Sequence, residues 1–240
     1  MKATGIMCPC RQELEPFLKI LSKREEIQVK RFEFFTGYIA CREVVLCNCG
    51  IGKVNSAVAT QMMIDSFDIG AVIVSGTAGA TDGQLALFDT VICEEAVYHD
   101  LMPGCLGIET PHMEDAIFKA EDGLTEKLTG KRYVRGCIAS GDSFADKEGR
   151  ARIAKKTGAI CADMETAAIA HCCYMNDMPF AAIRTITDTP EQGGLQNCLA
   201  NFGRAAELSA AAVVEMIKIS EYTKLKPVGV LTDITESGKI

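Results

Sequence analysis

Short apolar runs alternate with helical patterns along most of this chain, and that alternation constrains the fold more than any other feature. The runs fall at 3–7, 27–34, 38–47, 71–75, 89–95, 133–139, 158–162 and 179–186. Between them, helical spacing predicts helices over 11–23, 53–66, 113–128, 146–156, 165–175 and 195–218. Buried strands alternating with crossover helices make a parallel sheet with helices on either side. The expected class is therefore α/β, with a largely parallel sheet covered on both faces. One segment breaks the pattern. The runs 27–34 and 38–47 follow each other directly, and joined through Thr36-Gly37-Tyr38 they predict a hairpin on the sheet. No repeat or low-complexity linker marks a boundary, so residues 1–220 are expected to form one domain with a sizeable core. Residues 221–240, EYTKLKPVGVLTDITESGKI, lose the pattern and read as a C-terminal extension.

Composition removes several classes of function. A net charge of -7 argues against a nucleic-acid partner, which needs a basic face. No apolar run approaches the ~18 residues of a membrane span. The opening MKATGIMCPCRQELEPF meets Arg11 and Glu13 too early for a secretion signal, so a soluble, cytoplasmic protein is expected. Twelve cysteines lie mostly inside apolar segments, where without secretion disulfides are not expected. The pairs Cys8/Cys10 and Cys47/Cys49 lack the usual zinc spacing, and His99, His112 and His171 form no ligand pattern. The thiols are expected to be packing, with no metal.

In such a sheet, ligands bind where strands end and helices begin. Four junctions and one helix start carry unusual residues. GIMCPCRQELEPFL places Glu13 and Glu15 in a first helical turn, where a carboxylate suits the macrodipole. VIVSGTAGA ends a buried strand in Gly76, Thr77, Ala78, Gly79 and Ala80, small residues that let a ligand approach the backbone. CGIGKVNSA is glycine-rich too, yet neither stretch has the spacing of a dinucleotide or P-loop motif. IASGDSFADKEGR sets Phe144 beside polar turn residues, either as a stacking platform or as a staple for the next helix. PFAAIRTITDT puts Arg184 inside an apolar strand and Asp188 at its end. A guanidinium there must meet a carboxylate or an anionic ligand, and Glu13 and Glu165 are the candidates. CADMETAAIA, finally, embeds Asp163 and Glu165 in sequence that otherwise reads as core. Unpaired carboxylates do not enter cores cheaply, so their convergence with the other junctions points to a site.

These pieces, with EEAVYHD, occur in an order that resembles the purine nucleoside phosphorylase/uridine phosphorylase superfamily over roughly residues 4–218. The closest likeness is to its 5'-methylthioadenosine/S-adenosylhomocysteine nucleosidases. ADMETAAIAHCC with IRTITDT is the specific part of the match. The resemblance implies a three-layer α/β/α sandwich around a mixed, largely parallel sheet, a small-molecule nucleoside substrate, no cofactor and a homodimer. It also implies roles. Glu13 matches the general base that activates water, and Thr77 the hydroxyl that helps hold it, with Gly79 and Arg184 nearby. Phe144 matches the aromatic that stacks on adenine, and Ala145 offers backbone groups to the base. Met164 matches the methionine packed under the sugar, Glu165 the carboxylate that accepts from its 2'- and 3'-hydroxyls, and Asp188 the acid that protonates or hydrogen-bonds purine N7. Protonation of Asp188 near neutral pH needs a raised pKa, which burial could supply. Asp163 stands where the family commonly has Glu, which shortens its reach toward the sugar. Cys10 is the pocket-facing residue beside the base, and Leu106 stands where an aromatic often closes the 5' pocket. Val74 replaces the arginine with which the superfamily's phosphorylases bind phosphate, which favours hydrolysis over phosphorolysis. Futalosine hydrolases and non-catalytic storage proteins are the other relatives of this architecture.

Overall fold

The structure is a computed structural model that describes residues 2–81, 83–101, 112, 116–130, 132–192 and 194–219. The first half runs β1 (Ala3–Cys8), α1 (Arg11–Leu18), β2 (Ser22–Val29), β3 (Phe32–Ile39), β4 (Arg42–Asn48), α2 (Lys53–Ser66) and β5 (Ile69–Ala80). The second runs β6 (Thr90–Tyr98), β7 (Ile117–Lys119), α3 (Asp122–Thr125), β8 (Tyr133–Ser140) and α4 (Lys147–Thr157). It continues through β9 (Cys161–Asp163), α5 (Thr166–Met175), β10 (Phe180–Asp188) and α6 (Leu195–Ile219). All the strands share one mixed sheet ordered β10-β6-β8-β9-β5-β1-β4-β3-β2, with β7 paired to β6. Because β10 also pairs with β5, the strands β5, β10, β6, β8 and β9 close into a ring.

Period-two alternation sorts the strand residues between two cores. Met7, Val72 and Val74 point to one side, where they pack with Ala59 and Met63 of α2 and Ile169 and Cys173 of α5. Their neighbours Ile6, Ala71 and Ile73 point to the other, against Leu14 and Phe17 of α1 and Val213 and Met216 of α6. Helices therefore cover both faces, as the sequence predicts. Among the described residues no helix is long and apolar enough to cross a membrane.

Four local expectations are corrected. The segment 22–48 is a three-stranded meander rather than a hairpin turning at Thr36–Tyr38, which lies in the middle of β3. Its second turn is Ala40-Cys41, both at positive φ (51° and 62°), a two-residue geometry that usually advertises itself with Asn or Gly. Gly37 is there for another reason, since a Cβ would lie 2.5 Å from the carbonyl oxygen of Ser22. The helix expected over 11–23 ends at Leu18, because Ser22 onward is claimed by pairing with β3. The helix expected over 113–128 is instead the strand Ile117–Lys119 and the single turn Asp122–Thr125, with 113–115 outside the described residues. Phe118 alternates inward between exposed neighbours, and Gly123 weakens any longer helix. Finally, the glycine-rich stretch 76–80 is strand, hydrogen-bonded to β10 on one side and in part to β9 on the other. The extension 221–240, Leu106 and the rest of its loop lie outside the described residues.

Candidate active site

Glu13, in the first turn of α1, is buried. Its Oε1 accepts from the Thr77 backbone N at 2.8 Å and from Thr77 Oγ1 at 3.0 Å. Its Oε2 accepts from the Cys10 backbone N at 3.2 Å, closing the helix start as a capping box does. Burial pushes its carboxyl above the usual range, opposed by the nearby Arg184 charge and the Thr77 bonds. The residue is thus a carboxylate held in place on β5 by neutral donors.

Arg184, fully enclosed in β10, organises the end of the cavity where Glu13, Asp163 and Glu165 gather. Its Nε meets Asp163 Oδ2 at 2.8 Å and donates to Thr166 Oγ1 at 3.0 Å. Nη2 donates to Glu165 Oε2 at 3.3 Å, and Nη1 to the Thr77 carbonyl at 3.3 Å. Gly76 leaves room for this, because a Cβ there would sit 2.4 Å from Arg184 Nη1 and 2.7 Å from Glu13 Oε1. The small residues of the SGTAGA stretch thus make space for side chains.

The two embedded carboxylates differ. Asp163 is consumed by the protein: Oδ1 accepts from the backbone N of Glu165 at 3.1 Å and of Thr166 at 3.2 Å and from Ser140 Oγ, while Oδ2 takes Thr166 Oγ1 and Arg184. It orients the helix start and the arginine. Glu165 keeps acceptor capacity. Among the described residues its Oε1 accepts only the Gly52 N–H, at 3.0 Å, from the start of α2, and its carboxyl is pushed up to about 7 by burial and by the Asp163 charge, against Arg184.

Asp188 sits where the pairing of β10 with β5 shifts register, which turns its side chain into the cavity. Thr187 Oγ1 donates to its Oδ1 at 2.7 Å, and Arg150 of α4 pairs with its Oδ2. Asp188 is therefore buried with a hydrogen-bond or ion-pair partner on each carboxyl oxygen. Arg150 is a residue the sequence reading passed over. In the structure Arg150 and Ile153 are the two inward positions, three apart, of an otherwise solvated helix, and the apolar Ile153 is the one faint mark of that face in the sequence.

Cys10, Glu13, Thr77, Gly79, Phe144, Asp163, Met164, Glu165, Arg184 and Asp188 all line this one cavity. Phe144 stands half-exposed at its mouth, and Ala145 faces an adjoining hollow that shares Phe144. Leu106 cannot be placed, being outside the described residues. Ile51, Cys198 and Phe202 also line the cavity and were not anticipated. The eleven described cysteines are all free, and burial pushes Cys10 and Cys47 up to about 12. Among the described residues no cluster of His, Cys, Asp and Glu is arranged to hold a metal ion.

A sequence model of the phosphorylase superfamily matches residues 3–218. A 5'-methylthioadenosine/S-adenosylhomocysteine nucleosidase of Staphylococcus carnosus is 33% identical over 227 residues, 89% of this chain and 98% of its own. One from Staphylococcus aureus is 34% identical over 224 residues, 89% and 97% of the two chains. Among solved structures, the nucleosidase of Neisseria meningitidis in complex with methylthio-immucillin-A is similar with a TM-score of 0.84 and 31% identity, over 91% of this chain and 99% of that one. The Streptococcus pneumoniae nucleosidase with a transition-state inhibitor gives a TM-score of 0.82 at 29% identity, over 90% and 98%.

Proposed function

Because this chain belongs to the phosphorylase superfamily and, within it, to the 5'-methylthioadenosine/S-adenosylhomocysteine nucleosidases, we propose that its cavity works as follows. The protein is an N-glycosyl hydrolase that cleaves 5'-modified adenosines to adenine and the free ribose derivative. Adenine stacks on Phe144, and the ribose hydroxyls donate to Glu165, whose Oε1 has a single protein donor. Water held near Thr77 adds its oxygen to C1' and gives a proton to Glu13. The C1'–N9 bond breaks, its electron pair leaves with adenine, and N7 takes the proton of Asp188, which acts in its protonated form and is left as the carboxylate that pairs with Arg150. An acid on one side and a base activating water on the other is the inverting arrangement of glycoside hydrolysis.

One observation carries the hydrolytic reading. The sugar end holds three carboxyl groups, Glu13, Asp163 and Glu165, around the single guanidinium of Arg184. That excess of negative charge favours the cationic ribose of the transition state and disfavours a phosphate dianion. Every nitrogen of Arg184 already donates to a protein acceptor, so it is poorly placed to bind phosphate. Val74, at the position of the phosphorylase arginine, is buried in the core. Turnover of 5'-methylthioadenosine with and without phosphate tests this. Free methylthioribose and adenine should form at a rate that phosphate does not change; a sugar 1-phosphate, formed faster with added phosphate, would overturn it.

The reaction runs in the cytoplasm on this reading, since the eleven described cysteines, all free thiols, suit a reducing compartment. The working form is a homodimer, supported by an apolar surface on α2 and α5 beside the cavity.

A further inference from the structure

Arg150 is the one buried guanidinium that the steps above leave unused. It is 4% exposed and spends its donors on three separate segments. Nε donates to the Ala145 carbonyl at 3.0 Å. Nη1 donates to the Ala80 carbonyl at 3.1 Å and reaches the Asp188 carbonyl at 3.4 Å. Nη2 pairs with Asp188 Oδ2, and the guanidinium carbon lies 5.4 Å from the centre of the Phe144 ring. Gly79 admits this side chain, since a Cβ there would lie 2.8 Å from Nη1 and 3.0 Å from both the guanidinium carbon and Nη2.

A pair that merely anchored α4 to the sheet would need only the contact with Asp188. This guanidinium also grips the carbonyl of Ala145, next to the ring on which the base stacks, and the end of β5. With Thr187 Oγ1 on Oδ1 and Arg150 on Oδ2, neither oxygen of Asp188 is free to swing. The fork of an arginine has fixed geometry, so a carboxylate held by it inherits the position of the carbonyls that hold the fork. We propose that Arg150 is the positioning residue of the leaving-group acid: it fixes the Asp188 carboxyl relative to the Phe144–Ala145 segment, so that an oxygen meets purine N7. Arg150 does not line the cavity. It acts through Asp188 on the departure of the base, and the inference rests on the nucleosidase reading.

The test separates departure of the base from everything else. Arg150→Met and Arg150→Lys are compared with wild type on 5'-methylthioadenosine and on 4-nitrophenyl 5-methylthioribofuranoside, whose phenolate leaves without a proton. Thermal unfolding of each variant is followed alongside. Arg150→Met should lose about 10²-fold or more in kcat on the nucleoside, with KM changed less than about threefold. Its kcat on the aryl riboside should stay within about threefold of wild type. Arg150→Lys keeps the charge without the fork, and its nucleoside-to-aryl kcat ratio should fall between the two, which preserves the test if the Met variant does not fold. In an Asp188→Asn background, Arg150→Met should cost little more in kcat on the nucleoside. Equal losses on the two substrates, or fully additive losses with Asp188→Asn, would overturn the proposal and leave Arg150 a structural tie. Wild-type protein inactive on the nucleoside would sink the nucleosidase reading, and this proposal with it.

Discussion

Glu13 and Glu165 are both buried carboxyls near one guanidinium, and their partners separate their tasks. Glu13 is held by neutral donors from Thr77 and Cys10, which fix its position without consuming its basicity. Glu13→Gln keeps the size and removes the base, so kcat should fall by about 10²–10⁴ or more while binding of a nucleoside-analogue inhibitor persists. Near-normal kcat in that variant would reduce Glu13 to a helix cap. Glu165 is different because burial and Asp163 push its carboxyl up to about 7 in the free protein. Only the ionised form accepts from both ribose hydroxyls, so protonation below that pH weakens substrate binding. Bound sugar favours the ionised form, which moves the transition to lower pH in the complex. kcat/KM should therefore decline as pH falls through about 7, while kcat declines only at lower pH. A kcat/KM that is flat between about pH 6 and 8 would remove Glu165 from ribose recognition.

At the scale of elements, β5 decides the site. Its middle lies between β1 and β10, its end between β10 and β9, and two of its glycines yield space to Arg184 and Arg150. Gly76→Ala should therefore be more damaging than its size suggests. The added Cβ falls 2.4 Å from Arg184 Nη1 and 2.7 Å from Glu13 Oε1, so Glu13 and the Arg184 network must both move. Activity should fall by about 10²-fold or more with the fold retained in circular dichroism, and a Gly76→Ala variant of near-wild-type rate would contradict the packing. The sequence made β5 legible as a buried strand through its unbroken apolar run, but not its continuation, because glycines mark turns and close approaches alike. The same ambiguity at Gly37 misplaced the hairpin, whose true turn at Ala40-Cys41 has no turn-forming residue to betray it. Asp163, Glu165, Arg184 and Asp188 were legible because charge in an apolar context has few explanations. Arg150 was not, because a helix otherwise rich in Lys, Glu and Arg hides one inward cation among solvated ones.

For the whole molecule, the two helix layers are not equivalent. On the α2 and α5 side, Val54 is 74% exposed, and Val58 one turn on, Ile51, Tyr174 and Met175 are exposed with it. α2 and α5 pack against each other, and exposed apolar residues on two neighbouring helices are the kind of feature that a second copy of the chain would cover, as the proposed homodimer requires. Ile51 also lines the active-site cavity, which brings that surface to the mouth of the site. The protein should sediment at twice its 25.9 kDa chain mass at micromolar concentration. Val54→Glu sets a charge at an exposed apolar position of α2, on the face proposed to meet the second copy. A buried unpaired carboxylate costs several kcal/mol, enough to weaken a dimer by about 10²-fold or more. The variant should sediment as a folded monomer, and its KM should rise, because the wall formed at Ile51 then opens to solvent. Wild-type protein that is monomeric and fully active at micromolar concentration would show that the cavity is complete within one chain and that this apolar face serves some other contact.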